Sequence, residues 1–466
     1  MTAIDLPAVE DLRQRFRGET LLPGDEGYEQ ARRVWNGAVD RRPALIARCT
    51  GAADVVAAVR FARDHELVVS VRGGGHSIPG FSVCDGGLMI DLQPMKGIRV
   101  DPARRTATAQ PGLTWAEFDR ETQAFGLATT GGEVSDTGIA GLTLGGGIGW
   151  LKRKHGLTCD NLISADVVTA DGHLVAASEA ENADLLWGLR GGGGNFGVVT
   201  SFHYQLHPVG PVLLAGAVMH PGERAGEVLR FYRDLVAEVT DEVSLMVALV
   251  TAPPAPFVPA PLRGKRVALM AACYVGPVED GERHLEPLRD FGPPAADLLH
   301  PMPYTVLQSM IDEANRPGLL NYTKAEWLRE LSDEAVDALV EHAATVTSPM
   351  SQILLHQMGG AVTRVGRDET AFAHRDAAFS LTIPSIWASP HEDPTPHVEW
   401  ARSLWQAMRP ASTGGAYVNH MDGDEGEERV LQAYGPRTYE RLVALKTKYD
   451  PTNFFYLNQN IKPLAA

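Results

Sequence analysis

Three glycine-rich clusters constrain this chain more than any other feature of its sequence. They read RGGGH at 72–76, GLTLGGGIGWLKRKHGL at 141–157 and LRGGGGNFGVV at 189–199. A run of glycines is entropically costly unless the backbone turns sharply or another group approaches it closely. A tight turn explains any one cluster, but three together predict backbone nests whose N–H groups surround a large anionic cofactor.

The third cluster contains Gly192, Gly194 and Gly197 at the spacing of a dinucleotide-binding fingerprint. That fingerprint requires a strand before the glycines and a helix after them. Here the order is reversed, since the preceding DLLWGLR is typical of a helix and the following VVTSFHYQL of a strand. No cluster is followed by the lysine and hydroxyl pair of a Walker loop. We therefore expect neither a nicotinamide Rossmann site nor a Walker site.

Length and charge exclude several functional classes. A chain of 466 residues is too long for one compact core and is expected to form two or three domains. Its formal net charge of -16 argues against a surface that binds nucleic acid or anionic lipid. The N-terminal stretch lacks a signal-peptide pattern, and no later stretch is apolar for long enough to cross a bilayer. We expect a soluble cytoplasmic protein with no membrane partner.

The cysteines and paired histidines do not indicate a metal site. The four cysteines are Cys49, Cys84, Cys159 and Cys273. They are scattered without a CxxC pair, which is typical of reduced thiols rather than a disulfide scaffold or a zinc site. His203 and His207 fall on one side of a predicted strand but too far apart to share an ion, and no third ligand is nearby. We expect no metal.

The pattern of apolar residues predicts an α+β fold with a boundary near residue 208. Before it, short strands alternate with helical segments such as ADVVAAVRFARDHE, whose apolar residues recur at helical spacing. After it, the stretches LLAGAVMH, VSLMVALVT and KRVALMAACYVG are typical of strands. The proline-rich APPAPFVPAPLRG between the last two is a connecting loop by composition.

Four motifs together carry a resemblance to a known family. They are VRGGGHS, GGGIGWLKRKHGLTCDN, LRGGGGNFG and YDPTNFFYLNQNI. In this order the four motifs resemble the berberine-bridge-enzyme-like FAD-linked oxidases of the vanillyl-alcohol-oxidase superfamily. The resemblance extends over most of the chain. The resemblance implies a two-domain flavoprotein with a PCMH-type FAD-binding domain and a substrate domain built from an antiparallel sheet and helices. If the C-terminal motif returns to the flavin, residues 1–208 and 410–466 form the FAD-binding domain and 209–409 covers the substrate.

The resemblance also implies how the flavin is held. The family joins the histidine after the first glycine run to the 8α-methyl group of the flavin, which would make His76 the attachment point. Many members add a cysteinyl link in a CPTVG-like pattern, but the corresponding stretch here begins at Val134, which cannot form a thioether. Neither Cys84 nor Cys159 falls at the position of that cysteine. We therefore expect FAD attached through one histidine and no second link.

The remaining cofactor contacts implied by the resemblance lie in the glycine clusters and at the C-terminus. They are Arg72, Gly73, Gly74, Gly75, Ser77, Gly131, Thr137, Gly138, Gly141, Gly145, Gly146, Gly149, Asn161, Val199 and Asn458. The glycines offer backbone amides, and the Asn458 amide suits a carbonyl of the flavin ring.

Flavin oxidation of a substrate requires a protein base, and two residues are candidates. The cofactor accepts a hydride at N5, while the protein takes a proton from the substrate hydroxyl or amine. The family often places a tyrosine in the second glycine cluster for this purpose, but Ile148 stands there. We expect His420 first and Tyr417 second to serve as the base. In GGAYVNH, strand alternation would put them on opposite faces.

Other interpretations of the aromatic and histidine residues stay open. His420 could be a solvated loop histidine beside the acidic run DGDEGEE. His356 lies on a predicted strand and could face a cavity or solvent. Three aromatic residues, Trp387, Tyr304 and Tyr322, could line a substrate pocket, although core packing is the more common use of each.

Two functions compete at this point. The first is an oxidase that passes electrons from a small organic alcohol, amine, secondary-metabolite intermediate or sugar through FAD to dioxygen. The second is a non-catalytic or vestigial flavin-binding protein, which the isoleucine in place of the family tyrosine keeps open.

Overall fold

A computed structural model describes residues 6–464. Within that range the strands are, in chain order, β1 Glu19–Leu21, β2 Leu45–Arg48, β3 Val69–Arg72, β4 Leu88–Asp91, β5 Ile98–Asp101, β6 Thr106–Ala109, β7 Leu127–Ala128, β8 Leu162–Val168, β9 Leu174–Ala177, β10 Val198–Gln205, β11 His207–Pro208, β12 Val212–Pro221, β13 Val243–Thr251, β14 Arg266–Tyr274, β15 Ala296–Asp297, β16 His300–Pro303, β17 Leu320–Leu328, β18 Ile353–Gln357 and β19 Phe379–Trp387.

The α-helices alternate with these strands. They are α1 Leu6–Arg15, α2 Tyr28–Ala31, α3 Ala52–Asp64, α4 Trp115–Gln123, α5 Ile139–Leu144, α6 Lys152–His155, α7 Ala183–Leu189, α8 Ala225–Leu235, α9 Val278–Asp290, α10 Tyr304–Leu307, α11 Asp333–Ala344, α12 Ala361–Arg364, α13 Thr395–Met408, α14 Glu427–Tyr434 and α15 Pro436–Tyr449. None of the helices between residues 6 and 464 combines the length and apolar character needed to cross a membrane.

Two small sheets form the first part of the chain. One has the order β1-β2-β4-β3, with β4 parallel to both of its neighbours, and the other has the antiparallel order β5-β6-β10-β8-β9. Helix α3 lies between them because Val55, Val59 and Ala62 recur at helical spacing and are fully buried. The third glycine cluster runs from helix α7 into strand β10, which confirms the order predicted from its flanks and differs from a Rossmann unit.

The second part of the chain forms one large antiparallel sheet. Its order is β15-β12-β14-β13-β18-β19-β17, with β16 beside β12. Side chains alternate between the two faces of a strand. One face packs against helices α8, α9, α11 and α13, while the other faces the first two sheets. The α+β class is confirmed, and so are the three predicted strands that became β12, β13 and β14.

The end of the chain returns to the third glycine cluster. Lys446 of α15 is fully buried and donates through Nζ to Asn195 O at 2.8 Å, to Asp450 Oδ2 at 2.6 Å and to Phe455 O at 2.9 Å. Asn195 Oδ1 accepts the backbone N–H of Ile461 at 3.0 Å. The domain limits at 208 and 409 stay a prediction.

The buried Lys446 is expected to hold this C-terminal return in place. Replacing Lys446 with Ala leaves the Asp450 carboxylate buried without its counter-ion, so the free energy of unfolding should fall by about 3–5 kcal/mol. Denaturant unfolding of the flavin-loaded protein measures this loss. Lys448→Ala is the matched control, because Lys448 is 56% exposed and its contact with Asp184 contributes about 1 kcal/mol or less. Equal stability of the two variants would contradict the expectation.

Two predictions about local structure are wrong. GGAYVNH does not form a strand: Val418–His420 is a short 3-10 helix, so Tyr417 and His420 are not separated by strand alternation. His203 and His207 do not share a strand, since β10 ends at Gln205. Their side chains bind Thr108 and Asn161 respectively. Residues 6–464 contain no group of three His, Cys, Asp or Glu side chains that could hold a metal.

Candidate active site

A cavity of about 400 Å³ lies where the large sheet faces the first two sheets. Backbone from all three glycine clusters forms part of its wall, and the C-terminal segment 455–459 closes one end. The face of the large sheet turned away from helices α8, α9, α11 and α13, together with residues 417–421, forms the opposite wall. The long-range packing of both halves of the chain therefore builds one site.

The first glycine cluster approaches the backbone that immediately precedes the second glycine cluster. A Cβ atom on Gly74 would lie 2.3 Å from the backbone N of Gly138, and a Cβ on Gly138 would lie equally close to Gly74 N. Only two glycines fit at this crossing. It brings residues 73–75 beside 137–138, so that both line the cavity with backbone groups.

His76 follows this crossing and is held on three sides. Its ring stacks on Trp35 with 5.1 Å between ring centroids and an interplanar angle of 20°. Nε2 lies 2.9 Å from Asp136 Oδ1, and Nδ1 lies 3.4 Å from Thr137 Oγ1. The ring therefore has a defined plane and two distinguishable nitrogens at the cavity wall.

Ten of the predicted cofactor residues line the cavity. They are Gly73, Gly74, Gly75, His76, Ser77, Thr137, Gly138, Gly141, Val199 and Asn458. Val134 also lines it, at the position where the family places a cysteine. The four cysteines are all buried, and none is among the lining residues.

The other six predicted cofactor residues do not line the cavity. Arg72 is buried and makes two contacts with the carboxylate of Asp91, Nε to Oδ1 at 3.0 Å and Nη2 to Oδ2 at 2.7 Å. Asn161 donates to the carbonyls of His155 and Leu157 and contacts His207. The side chains of Arg72 and Asn161 therefore hydrogen-bond to other parts of the protein and stabilise the backbone that carries the cavity wall.

The four glycines in this second set serve close packing. Gly131 and Gly149 approach each other so closely that a Cβ on Gly149 would overlap the carbonyl oxygen of Gly131. Gly145 packs against the side chain of Asn419, and Gly146 has φ +124° beside a phenylalanine ring. Sequence motifs could not separate glycines that face a ligand from glycines that let two backbones pass.

The cavity suits FAD by the groups that it offers. Residues 73–75, 137–138 and 193–194, all glycines except Thr137, line one side of the cavity. Their backbone N–H groups suit a diphosphate, which accepts hydrogen bonds. Asn458 also lines the cavity, and its buried Oδ1 has no partner in the described part of the chain. Apolar side chains such as Val199 and Leu142 complete this side. An amphipathic ring system with a charged tail matches this set.

One face of the large sheet forms the opposite wall. Alternation along strands β17, β18 and β19 sends every second side chain into the cavity. These side chains are Asn321, Thr323, Leu354, His356, Thr382 and Pro384. His356 therefore faces the cavity, which settles the alternative that was open from the sequence.

A buried pair that the sequence analysis missed is part of the cavity lining. Glu133 Oε2 is 2.8 Å from His356 Nε2, and Glu133 Oε1 and His356 Nδ1 have no partner among the described residues. Burial raises the pKa of Glu133, but His356, Lys152 and His420 outweigh that effect and bring it down to about 2. Glu133 is therefore a carboxylate at any physiological pH.

Lys152 supplies a buried positive charge to this group. Its side chain is 1% exposed, and burial lowers its pKa to about 8 although Glu133 opposes the change. In the sequence, LKRKH suggests only an exposed basic helix, and GGEVSD lies between cofactor motifs without a mark of its own. The one sequence feature that could have indicated Glu133 is its position as an acidic residue among glycines and apolar residues.

His420 is placed to exchange a proton with a ligand. Its ring lines the cavity, and Nδ1 lies 2.9 Å from Thr382 Oγ1. Burial lowers the pKa of His420 to about 4, with His356 adding to the shift and Glu133 opposing it. The interpretation as a solvated loop histidine is wrong, since the residue is half-buried at the cavity wall with Nδ1 on Thr382, while Asp424 and Glu425 of the acidic run bind Lys324.

The hydroxyl of Tyr417 contacts the backbone of the second glycine cluster. The backbone N–H groups of Gly147 and Ile148 donate to its oxygen at 2.9 and 3.3 Å, and Asn419 Nδ2 donates at 2.8 Å. Burial raises its pKa to about 12. The phenol therefore keeps its proton at neutral pH and fixes the turn that carries Ile148, which lines the cavity.

The three aromatic residues suggested for the pocket lie elsewhere. Tyr304 and Trp387 are buried in the core, and the Tyr322 hydroxyl donates to Asp424 Oδ2 at 2.8 Å. Trp35 and Phe81 line the cavity instead. Tyr417, Tyr434 and Phe455 line it as well, so the aromatic lining comes from both ends of the chain.

Fold and cavity together define a class: an oxidoreductase with a cavity suited to FAD between a glycine-lined wall and one face of an antiparallel sheet. A model described as FAD binding domain matches residues 43–178, and one described as berberine and berberine like matches residues 416–462. The chain belongs to the berberine-bridge-enzyme-like FAD-linked oxidoreductases.

Similar proteins extend over nearly the whole chain. A FAD-linked oxidoreductase of Dictyostelium discoideum is 34% identical over 98% of this chain and 97% of its own length. The (R)-6-hydroxynicotine oxidase of Paenarthrobacter nicotinovorans is 31% identical over 96% and 97%. Among solved structures, 6-hydroxy-D-nicotine oxidase from Arthrobacter nicotinovorans has a TM-score of 0.87 at 29% identity, covering 96% of this chain and 98% of that one. A chitooligosaccharide oxidase also has a TM-score of 0.87, at 26% identity, with 98% and 100% covered. The protein is therefore an enzyme of the FAD-linked oxidoreductase type.

Proposed function

We propose that this protein is an oxidase with FAD attached covalently through His76 alone. It oxidises a small organic alcohol, amine, secondary-metabolite intermediate or sugar and returns the electrons to dioxygen. The observation that carries the proposal is one cavity with His76 in the glycine-lined wall and His420 in the wall opposite. The relatives are named as oxidases of nicotine derivatives and chitooligosaccharides, which supports a small-molecule substrate.

Different residues of the cavity wall would bind different parts of FAD. FAD, when bound, supplies the two-electron acceptor and its reaction with dioxygen. Backbone of 73–75 and 137–138 would bind the diphosphate. The free Oδ1 of Asn458 would accept a hydrogen bond from an N–H of the flavin ring, since its Nδ2 already donates to Gly194 O and Phe455 O. His76 holds the ring edge, while Val134 leaves the second attachment point of the family without a thiol.

His420 takes the proton of the substrate. With its pKa at about 4 the imidazole is neutral at physiological pH and has a free lone pair. When Nδ1–H donates to Thr382 Oγ1, that lone pair is on Nε2. The imidazolium formed during the reaction is stabilised by the carboxylate of Glu133. Tyr417, the second candidate from the sequence, acts in this mechanism by holding the glycine turn.

The sheet wall sets the character of the substrate. Asn321, Thr323 and Thr382 offer amide and hydroxyl groups, while Leu354 and Pro384 add apolar surface. This mixture suits a ligand that carries a hydroxyl or amine on an apolar or ring framework.

A panel of substrates tests the proposed activity. Flavin absorbance is followed without oxygen after mixing with (R)-6-hydroxynicotine, diacetylchitobiose, xylobiose, and simple alcohols and amines. Bleaching by one of them, followed by hydrogen peroxide on readmission of air, is the expected result. The vestigial alternative rests on Ile148 in the cavity wall, and a flavin that no compound bleaches would favour it.

The rate of flavin reduction is expected to depend on pH through His420. Only the neutral imidazole accepts a proton, so the rate should rise as pH increases through about 4 and be constant from pH 6 to 7. Anaerobic stopped-flow measurements with the best compound of the panel give the profile. A limb near the ordinary histidine value of about 6.5 would contradict the placement of this ring away from solvent.

A further inference from the structure

The carboxylate of Asp136 is aimed at the residue that is to carry the flavin. Asp136 Oδ1 lies 2.9 Å from His76 Nε2, and among residues 6–464 no Lys or Arg lies within salt-bridge distance of it. Oδ1 is buried, and no group in the described part of the chain, the His76 ring included, meets the geometry of a hydrogen bond to it, although the side chain as a whole is 41% exposed. The other ring nitrogen, Nδ1, is near the Thr137 hydroxyl at 3.4 Å.

The turn that carries Asp136 is fixed independently of His76. Asp312 accepts the backbone N–H of Ser135 at 2.8 Å and its hydroxyl at 2.6 Å. The backbone N–H of Thr137 donates to Val134 O at 3.1 Å. Trp35 holds the plane of the imidazole from the other side. The Asp136 carboxylate and the His76 ring are thus each held in place by contacts other than the one between them.

We propose that Asp136 positions His76 for attachment of the flavin and stabilises the charge that forms there. The proposal rests on the proposed covalent link through His76. A carboxylate only accepts hydrogen bonds, and a small rotation of the ring would align Nε2–H with the unpartnered Oδ1 at this 2.9 Å separation, so Asp136 favours the tautomer with the proton on Nε2 and the lone pair on Nδ1. Nδ1 is then the nitrogen that bonds to the flavin.

The attachment step balances as follows. A bond forms between His76 Nδ1 and the 8α carbon, and one C–H bond of that methyl group breaks. The proton and the two electrons of that bond stay in the flavin ring system until dioxygen takes them. The alkylated imidazole carries a positive charge next to Asp136, which then passes the Nε2 proton on. Dioxygen receives two electrons and two protons and leaves as hydrogen peroxide.

Reconstitution of the apoprotein with FAD tests this role without any substrate. Flavin that stays in the acid-precipitated pellet is measured over time for wild type, Asp136→Asn and Asp136→Glu, and non-covalent FAD binding is measured by flavin fluorescence at the first time point. We expect Asp136→Asn to bind FAD with unchanged affinity but to attach it about tenfold to a hundredfold more slowly, the effect of losing one contact to a charged group. Asp136→Glu should restore part of the rate.

Two further measurements separate the possible causes. Asp312→Asn loosens the same turn without removing the carboxylate beside His76, so it should attach flavin faster than Asp136→Asn. NMR of the histidyl flavin released from wild type identifies the bonded nitrogen even if a variant fails to fold. A bond at Nε2, or attachment by Asp136→Asn at the wild-type rate, would overturn the role of Asp136. A wild-type pellet without flavin would instead overturn the covalent link on which it rests.

Discussion

Replacing His420 with Asn is expected to slow anaerobic flavin reduction by about 100-fold to 10,000-fold, the usual contribution of a positioned general base. The amide retains a group that can contact Thr382 but cannot accept a substrate proton. Flavin content should not change, because His420 lies on the wall opposite His76. The reduction rate of the variant should also lose the acid limb near pH 4.

Thr382→Val is the companion variant for this prediction. It keeps the shape of the residue and removes the oxygen that contacts His420 Nδ1. We expect a smaller loss of rate than in His420→Asn, because the base remains but its tautomer is no longer fixed. If His420→Asn reduced flavin at the wild-type rate, the proton would have to leave through another residue.

Replacing Glu133 with Gln is expected to destabilise the protein and to slow flavin reduction. The change removes a buried carboxylate that contacts His356 Nε2 at 2.8 Å and whose charge opposes the lowering of the Lys152 pKa, and the loss of such a buried contact costs about 1–3 kcal/mol. It also removes the carboxylate that contacts His356 and that favours the charged form of His420. Denaturant unfolding of the flavin-loaded protein and stopped-flow reduction measure the two effects.

A double-mutant cycle shows whether the charge of Lys152 is responsible for the loss of stability. Glu133→Gln is combined with Lys152→Met, which removes the cation and keeps an extended apolar chain. We expect the double variant to be more stable than Glu133→Gln alone, with an interaction energy of about 1–3 kcal/mol between the two sites. Strict additivity would contradict the electrostatic link between these residues.

The sequence predicted the parts of this molecule that depend on local pattern. Helix α3 follows from apolar residues at helical spacing, and strands β12, β13 and β14 follow from short apolar runs that are buried on both faces. The RGGGH motif correctly marked His76 as a residue at the wall of a cavity. A backbone turn that only glycine can adopt is recognisable in the sequence, because it requires glycine at that position.

Features that depend on long-range contact could not be predicted in the same way. Val418–His420 is a 3-10 turn because Asn419 packs against Gly145, some 270 residues earlier in the chain, and donates to the carbonyl of Leu142. Glu133 and His356 are separated by 223 residues and meet only after the large sheet has packed on the first domain. Neither residue is distinctive in its own segment.

Acid precipitation of purified wild-type protein beside His76→Ala tests the central claim most directly. The pellets are washed, and yellow colour and flavin fluorescence of the denatured chains are measured. We expect flavin to stay with the wild-type chain and to wash out of His76→Ala, because Val134 provides no second attachment point. Flavin that washes out of both proteins, or that remains bound to His76→Ala, would contradict a single covalent link through His76.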